Sequence, residues 1–270
     1  MWIDVGQGRL YVEVTGNGPP LLAIHGWPLD HRVFEPQVSG LSSSLKVIAY
    51  DRRGFGKSEA RPDLRLEVAD IDHILDALDL PSVHLLGMSQ GGRIALRYAV
   101  THRHRLRSLI LQGAVIDGLH VAEPDADRIP IAEYSALAKS GRLDEVRRRW
   151  LRHPMMQLGA GFDAASDLLQ GILADYAGAD LIDFDANRYH FSADLLTALS
   201  ALNVPTLLLT GAQETRARKR HADEIESRVA DCVRLQLESS GHLSNLTEPE
   251  RYNRAVREFC EKVETAGGPL

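Results

Sequence analysis

The stretch "VHLLGMSQGGRIALRYA", Val83 to Ala99, sets the fold. A continuous apolar run reaches Gly87, a lone serine follows, and apolar residues then recur at helical spacing. This change of period predicts a strand buried on both faces that turns sharply into a helix. A turn so tight holds Ser89 in a strained backbone conformation, and only small neighbours such as Gly87 and Gly91 pack beside it. The turn also lifts the hydroxyl to a helix N-terminus, where the dipole favours negative charge. Glycine and serine meet by chance in many turns. The strand before and the helix after are what make Gly87-Met88-Ser89-Gln90-Gly91 read as a nucleophile turn, with a plain capping serine as the alternative.

Similar strand signals lie on both sides of this unit. "MWIDVGQGRLYVEV" opens the chain with an alternating strand pattern, and "NGPP" at 17 to 20 breaks it before "LLAIHG". Lys46 to Tyr50 and Leu109 to Leu111 read as strands buried on both faces. Between them "LEVADIDHILDALDL", 66 to 80, puts Val68, Ile71, Leu75 and Leu78 on one helical face. After "SLILQGAVIDG" the rhythm changes to helical segments alone: "IAEYSALAKS", "RLDEVRRRWLRH" and "AASDLLQGILADY". Strands resume at "VPTLLLTG", 204 to 211, and "CVRLQLE", 232 to 238, before an amphipathic helix over Glu248 to Val263. The expectation is an α/β fold, a mostly parallel eight-stranded sheet flanked by helices. Its core is 1–118 and 192–270, and a helical cap or lid, 119–191, is inserted after strand 6.

Bulk properties narrow the function. A 270-residue chain that is 44% hydrophobic can bury a sizeable core. A formal net charge of -6 argues against nucleic acid as a partner. The short basic runs at 103 to 107 and 218 to 220 read as solvated helix ends. Two cysteines, Cys232 and Cys260, do not make a disulfide framework and suit a reducing cytoplasm. No signal-peptide pattern opens the chain, and no apolar run has the length to span a bilayer. No metal, flavin or nucleotide cofactor is implied, because glycines 54 and 56 lack a full G-x-G-x-x-G frame and no ligand spacing appears.

A serine at its free pKa is a poor nucleophile and needs a base held by a third group. In a fold of this kind the chain order is serine, acid, histidine. Of 11 histidines, His242 in "SSGHLSNL" follows the last strand and precedes the last helix, the place for a general base. His25, His84 and His221 read as structural. The acid belongs after "TLLLTG", where "GAQE" supplies Glu214; Asp117, after the preceding strand, is its rival. "HGWP", 25 to 28, ends a strand beside the turn, so the backbone amides of Trp27 and Gln90 are the natural donors to a developing oxyanion.

Four motifs in this order, "HGWPLDH", "YDRRGFGKS", "GMSQGG" and "SGHLSNLTEPERYN", resemble the α/β-hydrolase superfamily. "YDRRGFGKS" is similar to the bend in cofactor-free haloperoxidase/perhydrolase-like esterases, and "GHLSNLTEPERYN" to the C-terminal signature of oxoadipate enol-lactonase-like members. The resemblance implies nucleophile, base and oxyanion donors at Ser89, His242, Trp27 and Gln90; Glu214 stands where those families usually have aspartate. Dehalogenases and epoxide hydrolases of this fold carry aspartate in place of Ser89, and meta-cleavage carbon–carbon hydrolases show a longer "HGxGPG" loop.

The expected activity is hydrolysis of a small-molecule carboxylic ester or lactone through an acyl-enzyme. The alternatives are thioester, amide or carbon–carbon hydrolysis on the same triad, or a receptor of the same fold that lacks turnover. A homodimer is left open. Of the cap's large side chains (Tyr134, Trp150, Met155, Met156, Phe162, Tyr176, Tyr189 and Phe191), most are expected to pack cap helices. Tyr134, Trp150 and Met155 are the candidates for a substrate wall. Arginines 147 to 149 could meet a substrate carboxylate, against the simpler reading of a solvated helix face.

Overall fold

The computed structural model describes residues 1–122, 124–184 and 195–267. Eight strands form one sheet: β1 (Trp2–Asp4), β2 (Arg9–Thr15), β3 (Pro20–Ile24), β4 (Lys46–Tyr50), β5 (Val83–Met88), β6 (Leu106–Gln112), β7 (Thr206–Gly211) and β8 (Cys232–Leu237). Their order is β1-β2-β4-β3-β5-β6-β7-β8. β2 pairs antiparallel with both β1 and β4, and the pairs from β4–β3 through β7–β8 are parallel, as helical crossovers require.

The continuous apolar runs have a simple cause. Along β3, Leu22 and Ile24 enter one core cluster while Leu21 and Ala23 enter the other, so every residue of the strand is buried. β5 divides in the same way, with Leu85 on one face and Leu86 on the other. Helices Glu67–Ala77 and Gln90–Thr101 cover the first face; Glu35–Leu41 and Pro249–Thr265 cover the second. The expected face of the first of these helices holds: Ile71 and Leu75 are fully buried, and Val68 and Leu78 pack at its edge.

Between β6 and β7 the described residues contain helices and no strand, chiefly Ile131–Lys139, Leu143–Leu151 and Asp163–Asp175. These pack on the second core cluster through Trp150, Leu169, Ile172 and Leu173. The expected cap boundary near 191, with Tyr189 and Phe191, lies outside the described residues. Cys232 and Cys260 are both free. Among the described residues no helix is long and apolar enough to cross a membrane.

Candidate functional site

Ser89 joins β5 to the helix Gln90–Thr101 with φ 54° and ψ −114°, backbone angles that a side-chain-bearing residue rarely adopts. Its hydroxyl makes no capping hydrogen bond, and a capping serine would have extended angles and would make one. The capping alternative therefore fails. The flanking glycines meet a packing demand. A Cβ at Gly87 would stand 2.6 Å from the Gly91 carbonyl oxygen and 2.8 Å from the Ala95 Cβ, and one at Gly91 would strike the Ile24 carbonyl.

His242 and Glu214 arrive from the far half of the chain. The loop after β8 buries His242, and its Nδ1 lies 2.6 Å from Glu214 Oε2; with Nδ1–H donating to the carboxylate, Nε2 keeps its lone pair. Glu214 Oε1 accepts the Thr215 amide at 2.7 Å. Burial alone would raise this carboxyl, but the charge and hydrogen bond of His242, the Thr215 amide and the Arg218 charge outweigh it. Glu214 is held below the ordinary glutamate value. Gly113, at φ +54°, makes room for the pair: a Cβ there would lie 2.6 Å from His242 Cε1 and 3.0 Å from Glu214 Oε2.

Gln112, the last residue of β6, connects the serine to the base. Its carbonyl accepts the Ser89 amide at 2.7 Å, and its side chain donates to the His242 carbonyl at 2.8 Å and to Asn245 Oδ1 at 3.0 Å. Asn245 in turn donates to the Val33 carbonyl at 2.9 Å. Among the described residues no hydrogen bond closes Ser89 Oγ onto His242; such contacts often tighten only when substrate binds. The sequence signal for Gln112 was a polar residue closing an otherwise apolar strand. Neither Gln112 nor Asn245 was singled out from sequence.

The Trp27 and Gln90 amides make no backbone hydrogen bond among the described residues. Gly26 passes so close to the turn that a Cβ there would be 3.1 Å from Ser89 Cβ. The Trp27 side chain points into the helical insertion, where Nε1 donates to Asp180 at 2.7 Å and the ring meets Trp150 edge-on at 4.7 Å. Burial raises the Asp180 carboxyl, against hydrogen bonds from Tyr176 and Trp27.

A cavity of about 320 Å³ opens over Ser89, walled by Trp27, Gln90, Trp150, Met155 and Asp180 among others. Of the three candidates for a substrate wall, Trp150 and Met155 line this cavity. Tyr134 does not reach the cavity; it stacks behind Trp27 at 6.3 Å. Asp117 is also misplaced as a rival acid, because Arg93 and Arg97 hold its carboxylate. Arginines 147 to 149 do not line the cavity: Arg147 bonds the Tyr176 carbonyl and Asp144, and Arg149 pairs with Glu133 and Glu145. Arg218 departs from its expected solvated place. It lines the cavity beside Arg93.

The structural histidines stay neutral. Burial drives His25 down to about 3 and His84 and His221 to about 4. One cluster among the described residues has metal-ligand spacing, Asp30, His31 and Asp51, which the sequence analysis did not foresee. Its carboxylates are engaged by protein donors: Asp30 by Arg32, and Asp51 by His31 at 2.6 Å and by the Lys57 amide at 2.7 Å.

The fold and this arrangement define a class, and comparison with known proteins agrees. The chain belongs to the alpha/beta hydrolase fold family, whose model matches residues 19–249. It is 24% identical to 3-oxoadipate enol-lactonase 1 of Acinetobacter baylyi over 96% of each chain. It is 37% identical to 2-hydroxy-6-oxo-2,4-heptadienoate hydrolase of Pseudomonas putida, over 53% of this chain and 54% of that one. An esterase from Exiguobacterium antarcticum superimposes with a TM-score of 0.79 at 25% identity, covering 97% of this chain and 99% of the esterase.

Proposed function

We propose that this alpha/beta hydrolase is a serine hydrolase of carboxylic esters or lactones, with Ser89 as nucleophile, His242 as general base and Glu214 as the acid that orients it. The observation that carries this reading is the buried His242–Glu214 pair at 2.6 Å, joined through Gln112 to a serine in a left-handed strand–helix turn. His242 Nε2 takes the Ser89 proton as Oγ attacks the carbonyl carbon, and the Trp27 and Gln90 amides receive the oxyanion. The imidazolium then gives that proton to the departing alkoxide. A water, deprotonated by the same imidazole, opens the acyl-enzyme and releases the acid. The helical insertion acts as a lid, and Trp150 and Met155 supply an apolar wall. The substrate is a small molecule in this reading, and neither nucleic acid nor membrane takes part. Cytoplasmic localisation belongs to the same proposal.

The test is Ser89→Ala against p-nitrophenyl acetate, with fluorophosphonate labelling of the wild type. Turnover should drop on the order of 10⁴-fold or more with the fold intact. An unlabelled wild-type serine would favour the receptor alternative. Carbon–carbon cleavage on the same residues is the second reading, supported by the similarity to the heptadienoate hydrolase. A dienoate substrate turned over faster than any ester or lactone would select it.

A further inference from the structure

We infer that the side chain of Gln90, oriented by Arg52, is a specificity-determining donor that selects acyl groups with a second acceptor oxygen next to the scissile carbonyl. This rests on the reading of Ser89 as nucleophile and extends it to the substrate class.

Arg52 comes from the bend after β4 and is 1% exposed. Its Nε and Nη2 hold the Glu67 carboxylate at 2.6 and 3.0 Å, Nη1 reaches the His25 carbonyl at 3.4 Å, and the guanidinium lies 4.9 Å over the Phe55 ring. The Arg52 amide is itself tied to His25 Nε2 at 3.0 Å. A group held on so many sides cannot swing. From this fixed place Nη2 donates to Gln90 Oε1 at 2.7 Å.

A guanidinium has donors and no acceptor, so the atom that faces it must be the amide oxygen. The Gln90 NH₂ is therefore turned away from Arg52. Gln90 lines the cavity above Ser89, and its NH₂ makes no hydrogen bond to protein among the described residues. Much of the cavity wall is apolar: Val115, Ile129 and Ile131 offer no side-chain acceptor, and Met155 offers only a weakly accepting thioether sulfur.

Two N–H groups thus face the substrate from the residue whose backbone amide serves the oxyanion. An oxo, alkoxy or carboxylate oxygen within one side-chain length of the reacting carbonyl would meet them. A saturated acyl chain would leave them unpaired, and such a site discriminates against the analogue lacking the acceptor.

The experiment uses two esters of equal chain length, p-nitrophenyl methoxyacetate and p-nitrophenyl butyrate, and reads the ratio of their kcat/KM values. Gln90→Glu keeps the bond to Arg52 but replaces the donor edge with oxygen. The methoxyacetate-to-butyrate ratio should fall about tenfold, the worth of one hydrogen bond. Gln90→Met, which removes the carboxamide, should lower it equally. Arg52→Lys, which keeps the charge on Glu67 but loses the fork, should lower the ratio by releasing the carboxamide. A ratio within about twofold of wild type in both Gln90 variants would overturn the inference. Fluorophosphonate labelling keeps the two readings apart: an unlabelled wild type fails the nucleophile assignment, whereas labelled enzyme with an unmoved ratio fails only this one.

Discussion

Two loops leave the same end of the sheet from neighbouring strands, after β6 and after β7, and each carries an acid. Asp117 is drawn back by Arg93 and Arg97, which lie one turn apart on the helix that follows Ser89, so it braces that helix. Glu214 instead meets the buried imidazole of His242. The acids are chemically alike. What differs is which partner the surrounding fold brings within hydrogen-bond reach, and that decides which acid could serve catalysis.

The sharpest way to break this comparison is to neutralise each acid in turn. Glu214→Gln should lower kcat on the order of 10⁴-fold, because the imidazole loses its oriented tautomer. Asp117→Asn should change kcat far less; steady-state rates with the reverse ranking would transfer the role. Gly113→Ala attacks the same pair sterically. Its methyl must displace His242 Cε1, 2.6 Å away, and kcat should fall about 100-fold. Unchanged kinetics would mean the pair tolerates movement.

The brace should show itself in stability. Asp117→Ala leaves two partly buried guanidiniums without their carboxylate and should cost about 1–3 kcal/mol, read from the urea midpoint. The smallest effect involves His221, which touches both regions: it sits on the helix after Glu214, and its Nδ1 accepts the Ile116 amide at 3.2 Å. Burial first, then the Arg218 charge, hold its pKa at about 4 against an ordinary 6.5. The unfolded chain therefore protonates first. The stability His221 contributes is present above about pH 6.5 and is lost as the pH falls toward 4. His221→Gln should make the acid-side loss in urea unfolding shallower by at most about 1.4 kcal/mol per pH unit. An identical slope in the variant would place the titration elsewhere.

Much of the fold was legible because buried parallel strands require continuous apolar runs and their covering helices require a 3.6-residue period. "LLAIHG", "VHLLGM" and "TLLLTG" declare the first, and Ile71 with Leu75 the second. Ser89 was legible because its turn demands glycines at fixed positions. Gln112 and Arg52 were not, because a polar residue at a strand end and an arginine in a bend have many ordinary uses. Tyr134 was misjudged for a similar reason: an aromatic in a helical segment packs equally well against substrate or against Trp27, and here it chose the tryptophan.

Local sequence therefore determined the strands, the principal helices, the strand–helix turn at Ser89 and the composition of the insertion, all of which depend on period and on steric rules acting over a few residues. Only the tertiary structure paired Glu214 with His242 and Asp117 with Arg93 and Arg97, brought Arg218 into the cavity and set the Gln90 carboxamide oxygen on Arg52. Those outcomes depend on side chains far apart in the chain competing for a few hydrogen-bond partners, and that competition takes place only after the sheet has assembled.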